Sequence, residues 1–224
     1  MLRFLKSLSR TVHEERCHQD PQPSSGGDDD GSHGGDDGGE PTCLTVWRKS
    51  LFVGCSGFTV LNSGGDLVYR VDNYGCPRRQ DVVLMDASGN PVLTVSRNKK
   101  VNMVDNWLVY EGEVSSKKQK PICCAKKGID ILFLRSKAKR LAQIYRAPYD
   151  EKTGGGTYVI EGSYMNRSCK VLDESRNVLV EIRRKETTRK GVSLGLEVFV
   201  LIVNREFDSG LAMGIVLLLD QMSL

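Results

Sequence analysis

The chain has 224 residues, 39% hydrophobic and 27% charged, with a formal net charge of +4. That length suits one substantial domain, or a domain plus a tail. The modest net charge hides an asymmetry: residues 1–40 carry nine acidic and four basic side chains, whereas residues 41–224 carry 28 Lys+Arg against 19 Asp+Glu.

The opening MLRFLKSLSRTVHEER places Phe4, Leu5, Leu8 and Val12 at helical spacing with Arg3, Lys6 and Arg10 between them. Such a start reads as an organelle-targeting peptide, a membrane-surface helix or a simple tail. Its apolar run is too broken for a secretory signal. The stretch HQDPQPSSGGDDDGSHGGDDGGEP follows, with almost nothing to bury, and is expected to be disordered. No register of its aspartates fits a calcium-binding EF-hand loop. The expected organisation is therefore a disordered segment over 1–40 and a folded domain over 41–224.

From Thr42 onward β-branched and aromatic residues alternate with polar ones, as strands require. Three stretches are versions of one hairpin: VLNSGGDLVYRV (60–71), LMDASGNPVLTV (84–95) and VLDESRNVLVEI (171–182). In each an Asp or Asn (62, 86, 173) opens a short polar turn that closes on Asp66, Asn90 or Asn177. The side chain of the first residue is placed to bond the turn backbone, and Gly65 and Gly89 are free to take positive φ. Arg176 replaces that glycine in the third copy, which predicts a different turn type there. Further strands are expected in CLTVWRK, NWLVYEG, IDILFLR, TYVIEG and LEVFVLIV, about a dozen in all, the spacing of an antiparallel barrel or sandwich.

Seven cysteines (17, 43, 55, 76, 123, 124, 169) form an odd set with no CxxC. They read as reduced, mostly buried thiols, and Cys123 and Cys124 point to opposite faces of a strand. Neither a metal site nor a cofactor is expected. His13, His18 and His33 all precede the domain, so no Ser-His or Cys-His nucleophile pair exists within it. The glycines of KTGGGTYVIEG (152–162) lead into a strand, not a helix, and suit a hairpin tip better than a phosphate cradle.

Basic residues cluster as RNKK (97–100), KKQK (117–120), AKK (125–127), RSKAKR (135–140) and RRKETTRK (183–190). Arg135, Lys137 and Lys139 share one strand face if the strand extends that far, with Arg140 opening the next turn. Arg183, Lys185 and, if the strand runs on, Arg189 line one side of a hairpin. These six, Arg183, Arg184, Lys185, Arg135, Lys137 and Lys139, are the candidate contacts for an anionic ligand, against the plainer alternative of solvated surface.

The chain closes on GLAMGIVLLLDQMSL (210–224). Its apolar stretch, Leu211–Leu219, covers less than half of a bilayer. Asn204, Arg205, Glu206 and Asp208 separate it from LEVFVLIV, so it is not an anchor, and Gly210 and Gly214 make a GxxxG too short to act in lipid. A helix capped by Asp208 or Ser209 and apolar on every side must be surrounded by protein. A barrel of about twelve strands leaves an axial void that such a helix fills, with Leu211, Met213, Ile215, Leu217 and Leu218 as the plug.

Taken together, LTVWRKSLFVGCSGFTV (44–60), LVYRVDNY (67–74), VVLMDASGNPVLTV (82–95), CKVLDESRNVLVEIRRK (169–185) and FDSGLAMGIVLLLDQM (207–222) resemble the plant LURP-one-related family. The resemblance implies a tubby-like, twelve-stranded antiparallel barrel around a C-terminal helix. It also implies similarity to phospholipid scramblases and to tubby-like, membrane-tethered transcription factors, with plant defence as the biological setting. Tubby-type barrels bind phosphoinositides through basic outer-strand residues, and no residue of this chain is carried over from them.

The expected function is a non-enzymatic, monomeric binding module for anionic phospholipid head groups. Its expected place is inside the cell, in cytoplasm or nucleus, peripheral to the plasma membrane and without a transmembrane segment. The alternative is a nuclear regulator that contacts DNA or protein partners.

Overall fold

In the computed structural model, the described residues are 40–73, 81–98, 106–116, 118–127, 140–147, 157–185 and 195–223. Twelve strands, β1 (Thr42–Trp47), β2 (Ser56–Leu61), β3 (Leu67–Asn73), β4 (Asp81–Asp86), β5 (Pro91–Asn98), β6 (Asn106–Glu111), β7 (Cys123–Lys127), β8 (Arg140–Arg146), β9 (Thr157–Ser163), β10 (Ser168–Leu172), β11 (Val178–Arg184) and β12 (Val198–Val203), precede one helix, α1 (Ser209–Ser223). Each strand pairs antiparallel with its neighbours in sequence, and β12 closes the barrel on β1, from Thr42 opposite Val203 to Trp47 opposite Val198. Closure leaves no unpaired sheet edge, so the charges on the strands are not needed to guard one.

The alternation of side chains puts one face of every strand inside. Leu44 and Val46, Val82 and Leu84, Val180 and Ile182, and Phe199, Leu201 and Val203 all point to the axis and are buried. α1 occupies that axis. Met213, Ile215, Leu217 and Leu218 are fully enclosed, and Leu211, at the mouth, is partly buried against the same core. The helix is capped by Asp208, whose Oδ1 accepts from Leu211 N, while Ser209 Oγ meets the Tyr69 hydroxyl at 2.8 Å. It lies against the wall at β5: a Cβ on Gly214 would stand 3.0 Å from Leu93 Cδ2.

The three repeated hairpins share one rim, where α1 begins, and one geometry. Asp66 N, Asn90 N and Asn177 N each donate at 2.8 Å to the side-chain oxygen of Asn62, Asp86 and Asp173. Arg176 corrects the expectation of a different turn in the third copy. It adopts φ +70, beside +83 at Gly65 and +93 at Gly89, and closes the same backbone hydrogen bond to residue 173. Its guanidinium pairs with both oxygens of Glu161 at 2.8 and 3.0 Å, which offsets the cost of a left-handed arginine.

One strand was marked only by the pair Cys123 and Cys124, and a second corrects a boundary. CCAKK forms β7 and RLAQIYR forms β8; Arg140 therefore opens a strand and does not begin a turn. The pairing of Ala125 with Ile144 supplies the burial that Ala, Gln and Lys do not advertise in sequence. The expected strand IDILFLR, the RSKAKR residues Arg135, Lys137 and Lys139, the KTGGG tip, Arg189 and residues 1–39 lie outside the described residues. Among the described residues no helix is long and apolar enough to cross a membrane.

Candidate basic rim

Antiparallel connectivity sends β1–β2, β9–β10 and β11–β12 around the rim opposite the repeated hairpins, where α1 ends. These three connections are neighbours, because β12 lies between β1 and β11 and β10 between β11 and β9. They are also bonded to one another. Arg48 N donates to Glu197 O at 2.8 Å, Arg167 Nε donates to Leu196 O at 2.8 Å, and Arg184 Nε donates to Asn166 O at 3.0 Å. The result is a continuous arc of rim held by backbone carbonyls that would otherwise be left at strand ends.

Arginine supplies most of that cross-linking. Arg167, at φ +51 and almost fully buried, lies with its guanidinium 4.3 Å from the centre of the Tyr164 ring and 4.4 Å from that of Phe199. A flat, weakly hydrated cation stacks between two rings at less desolvation cost than an ammonium would. Arg48 Nε donates to Asp220 Oδ1 at 2.9 Å, and the Tyr164 hydroxyl donates to the same oxygen at 3.3 Å, fixing the end of α1 to the rim. Partial burial acts to lower the Arg48 pKa, but the charge and hydrogen bond of Asp220 outweigh it and the net shift is upward. Burial, then the Asp220 charge, push the Tyr164 phenol well above its ordinary range, so it stays a donor.

The predicted cations Arg183 and Arg184 at the end of β11, and Lys185 just after it, all reach this rim, but on different faces. Arg183 and Lys185 are on the outside of the barrel, whereas Arg184 follows the inward register and emerges at its open end. Arg183 is held by Glu181 at 2.7 Å, and Lys185 Nζ donates to Thr45 Oγ1 at 3.0 Å across β12. Lys49 is exposed and stands over the outward Trp47 ring at 5.4 Å. Sequence reasoning missed Arg48, Lys49 and Arg167, because single arginines and lysines carry no signal until the topology gathers them. Of RSKAKR only Arg140 is described, and it opens β8 on this same rim.

The loop after β1 has a second feature. Ser50 is buried and its hydroxyl donates to Asp72, while Phe52 N donates to Ser50 Oγ at 3.0 Å and Thr59 Oγ1 donates to Lys49 O at 2.7 Å. Asp72 is also 3.6 Å from Arg70, whose guanidinium stands 5.7 Å from the Phe52 ring centre. The root of the loop is thus pinned to β2 and β3, and its tip, Phe52–Gly54, remains on the surface.

Known proteins agree with this architecture. A family model described as LURP-one-related matches residues 42–220. Protein LURP-one-related 17 of Arabidopsis thaliana is 45% identical over 227 residues, covering 99% of both chains. Protein LURP-one-related 8 of the same plant is 48% identical over 182 residues, 80% of this chain and 86% of that one. A crystal structure of an Arabidopsis thaliana protein superposes with a TM-score of 0.57 over 83% of this chain and 93% of its own, at 19% identity, a likeness of fold alone. The names of these relatives state no activity. With the plugged twelve-stranded barrel and a match over nearly its whole folded length, the chain belongs to the LURP-one-related family.

Proposed function

We propose that the barrel is a non-enzymatic binding module whose basic rim meets the phosphate groups of anionic lipids at a membrane surface. The observation that carries this reading is the convergence of Lys49, Arg184 and Lys185, with Arg183 beside them, on adjacent connections of one rim. The excess of basic residues in 41–224 supports it. So does the absence of histidine after His33, which leaves the domain without the commonest general base. Membrane tethering and a role in plant defence belong to the same proposal, through the family's likeness to scramblases and tubby-like proteins.

Each cation close to an anionic surface contributes about 1 kcal/mol, screened by salt. Glu181 already neutralises much of Arg183, so replacing Arg183, Arg184 and Lys185 with Gln removes roughly 2 kcal/mol, about thirtyfold in vesicle affinity. Binding to phosphatidylserine-containing vesicles is expected to weaken with rising salt and to disappear on phosphatidylcholine alone. A parallel Gln replacement of Arg135, Lys137 and Lys139 tests the second cluster. Binding that neither triple alters overturns the basic-rim reading, and a chain that ignores anionic vesicles but retains DNA or a protein supports the nuclear alternative.

A further inference from the structure

Seven large hydrophobic side chains are exposed among the described residues, and four of them lie on the three adjacent connections of the basic rim. Phe52 is 44% and Val53 90% exposed in β1–β2, Met165 65% in β9–β10 and Leu196 38% in β11–β12. A soluble surface commonly scatters such residues singly; grouping on one arc marks a contact surface. We infer that this arc enters the membrane, with Phe52, Val53 and Met165 inserted at the boundary between head groups and acyl chains and the rim cations at head-group level. The inference rests on the membrane reading above and adds the mode of contact.

Three observations select a bilayer over other occupants. The apolar side chains sit on projecting turns, not in a groove, which suits a soft planar surface and not a partner's side chain. They alternate with positive charge: Lys49 is three residues before Phe52, Arg184 bonds the carbonyl beside Met165, and Lys185 lies across β12 from Thr45. Trp47, outward on β1 and half-buried under Lys49, stands where interfacial aromatics gather, with an apolar body and a polar N–H. The tips are also pre-organised. Ser50 and Asp72 hold the first loop, Cys55 N donates to Phe52 O to form its turn, and Arg167, bonded to Leu196 O, joins the other two. The turns that carry Phe52, Val53 and Met165 therefore have little conformational entropy left to lose on docking, so their exposed apolar area converts to affinity efficiently.

The test uses the full chain on phosphatidylserine–phosphatidylcholine vesicles, with and without bromine on the acyl chains. Phe52→Ser with Val53→Ser is expected to weaken vesicle binding about tenfold, and to do so at high salt as well as low. A tryptophan introduced as Val53→Trp is expected to be quenched by brominated lipid beyond the quenching of the wild type, in which Trp47 is only half-buried on the same rim and Trp107 is enclosed in the barrel. Unchanged thermal midpoints establish that both variants fold, and Met165→Ser serves as an independent second site. Vesicle binding that survives the double serine variant, with no quenching of the Val53→Trp chain beyond that of the wild type, overturns tip insertion while the basic-rim reading stands. A wild-type chain that does not bind these vesicles overturns both.

Discussion

Arg48 and Asp220 are 172 residues apart and joined by a 2.9 Å hydrogen bond between the Nε of one and the Oδ1 of the other. The pair ties the last turn of the axial helix to the connection between β1 and β2, the loop whose tip is argued to contact lipid. It is thereby a link between the core and the candidate surface. Asp220→Ala leaves Arg48 with only Glu197, 3.8 Å away, and frees the Tyr164 hydroxyl. Arg48 is partly exposed, so solvent screening limits the loss to about 1–2 kcal/mol. The expected fall in thermal midpoint is a few degrees for a domain of this size, and a double-mutant cycle with Arg48→Ala measures the coupling.

The axial helix is expected to be indispensable. Leu217 is 1% exposed and has neighbours on all sides, so Leu217→Asp places an unpaired charge in the barrel and costs several kcal/mol. Ending the chain after Asn204 removes the helix and exposes an apolar lumen to water. Loss of the cooperative thermal transition, with aggregation on expression, is the expected result; a soluble truncation with an unchanged midpoint would contradict the axial-plug account.

Two glycines separate backbone strain from crowding. Gly162 sits at φ +117 in β9, where a Cβ would stand 2.1 Å from Ser168 O of the paired strand. Gly162→Ala is expected to cost about 3 kcal/mol or more, because the obstacle is backbone. Gly214→Ala in α1 gains about 1 kcal/mol of helix propensity but crowds Leu93 at 3.0 Å, a cost of about 1–3 kcal/mol. The net expectation is a loss of about 1 kcal/mol. Chemical denaturation of the two variants ranks them.

The hairpin aspartates give a defined pH signature. Hydrogen bonds from the Asn90 and Asn177 side chains, and then from the backbone, hold the Asp86 and Asp173 carboxyls below their ordinary value of 3.8. A depressed folded pKa contributes stability that is present above the unfolded value and lost as pH falls through the folded one. The gap in thermal midpoint between wild type and Asp86→Ala is therefore expected to be constant near neutrality and to close only below about pH 4. A gap that narrows instead as pH rises from 5 to 8 would rule this assignment out.

Two core cysteines are expected to be chemically silent in the folded protein. Burial pushes the Cys123 thiol up to about 12 and the Cys169 thiol up to about 11, far above the pH of the cell. Iodoacetamide at neutral pH should label neither until denaturant is added, whereas both should be labelled stoichiometrically after unfolding. Mass spectrometry of the two peptides reads the outcome directly.

Much of the architecture was legible in the residues, because it depends on local chemistry. The alternation in TCLTVW or VFVLIV fixes which side chains face inward, the Asx turns mark three hairpins, and a short helix apolar on all sides demands enclosure. Charge clustering likewise pointed to Arg183, Arg184 and Lys185. Other features depended on pairing between distant segments. β8 carries Arg, Gln and Ala at positions that signal little by themselves, and only its register with β7 and β9 makes it a strand. Arg176 looked like a change of turn, yet its bond to Glu161 across the hairpins lets it take glycine's conformation. The rim was the least legible part. Arg48, Arg167 and Asp220 are isolated in sequence, and Phe52, Val53, Met165 and Leu196 belong to three unrelated stretches. Barrel closure brings them together because β12 returns to β1, and no local pattern encodes which connections will then be neighbours.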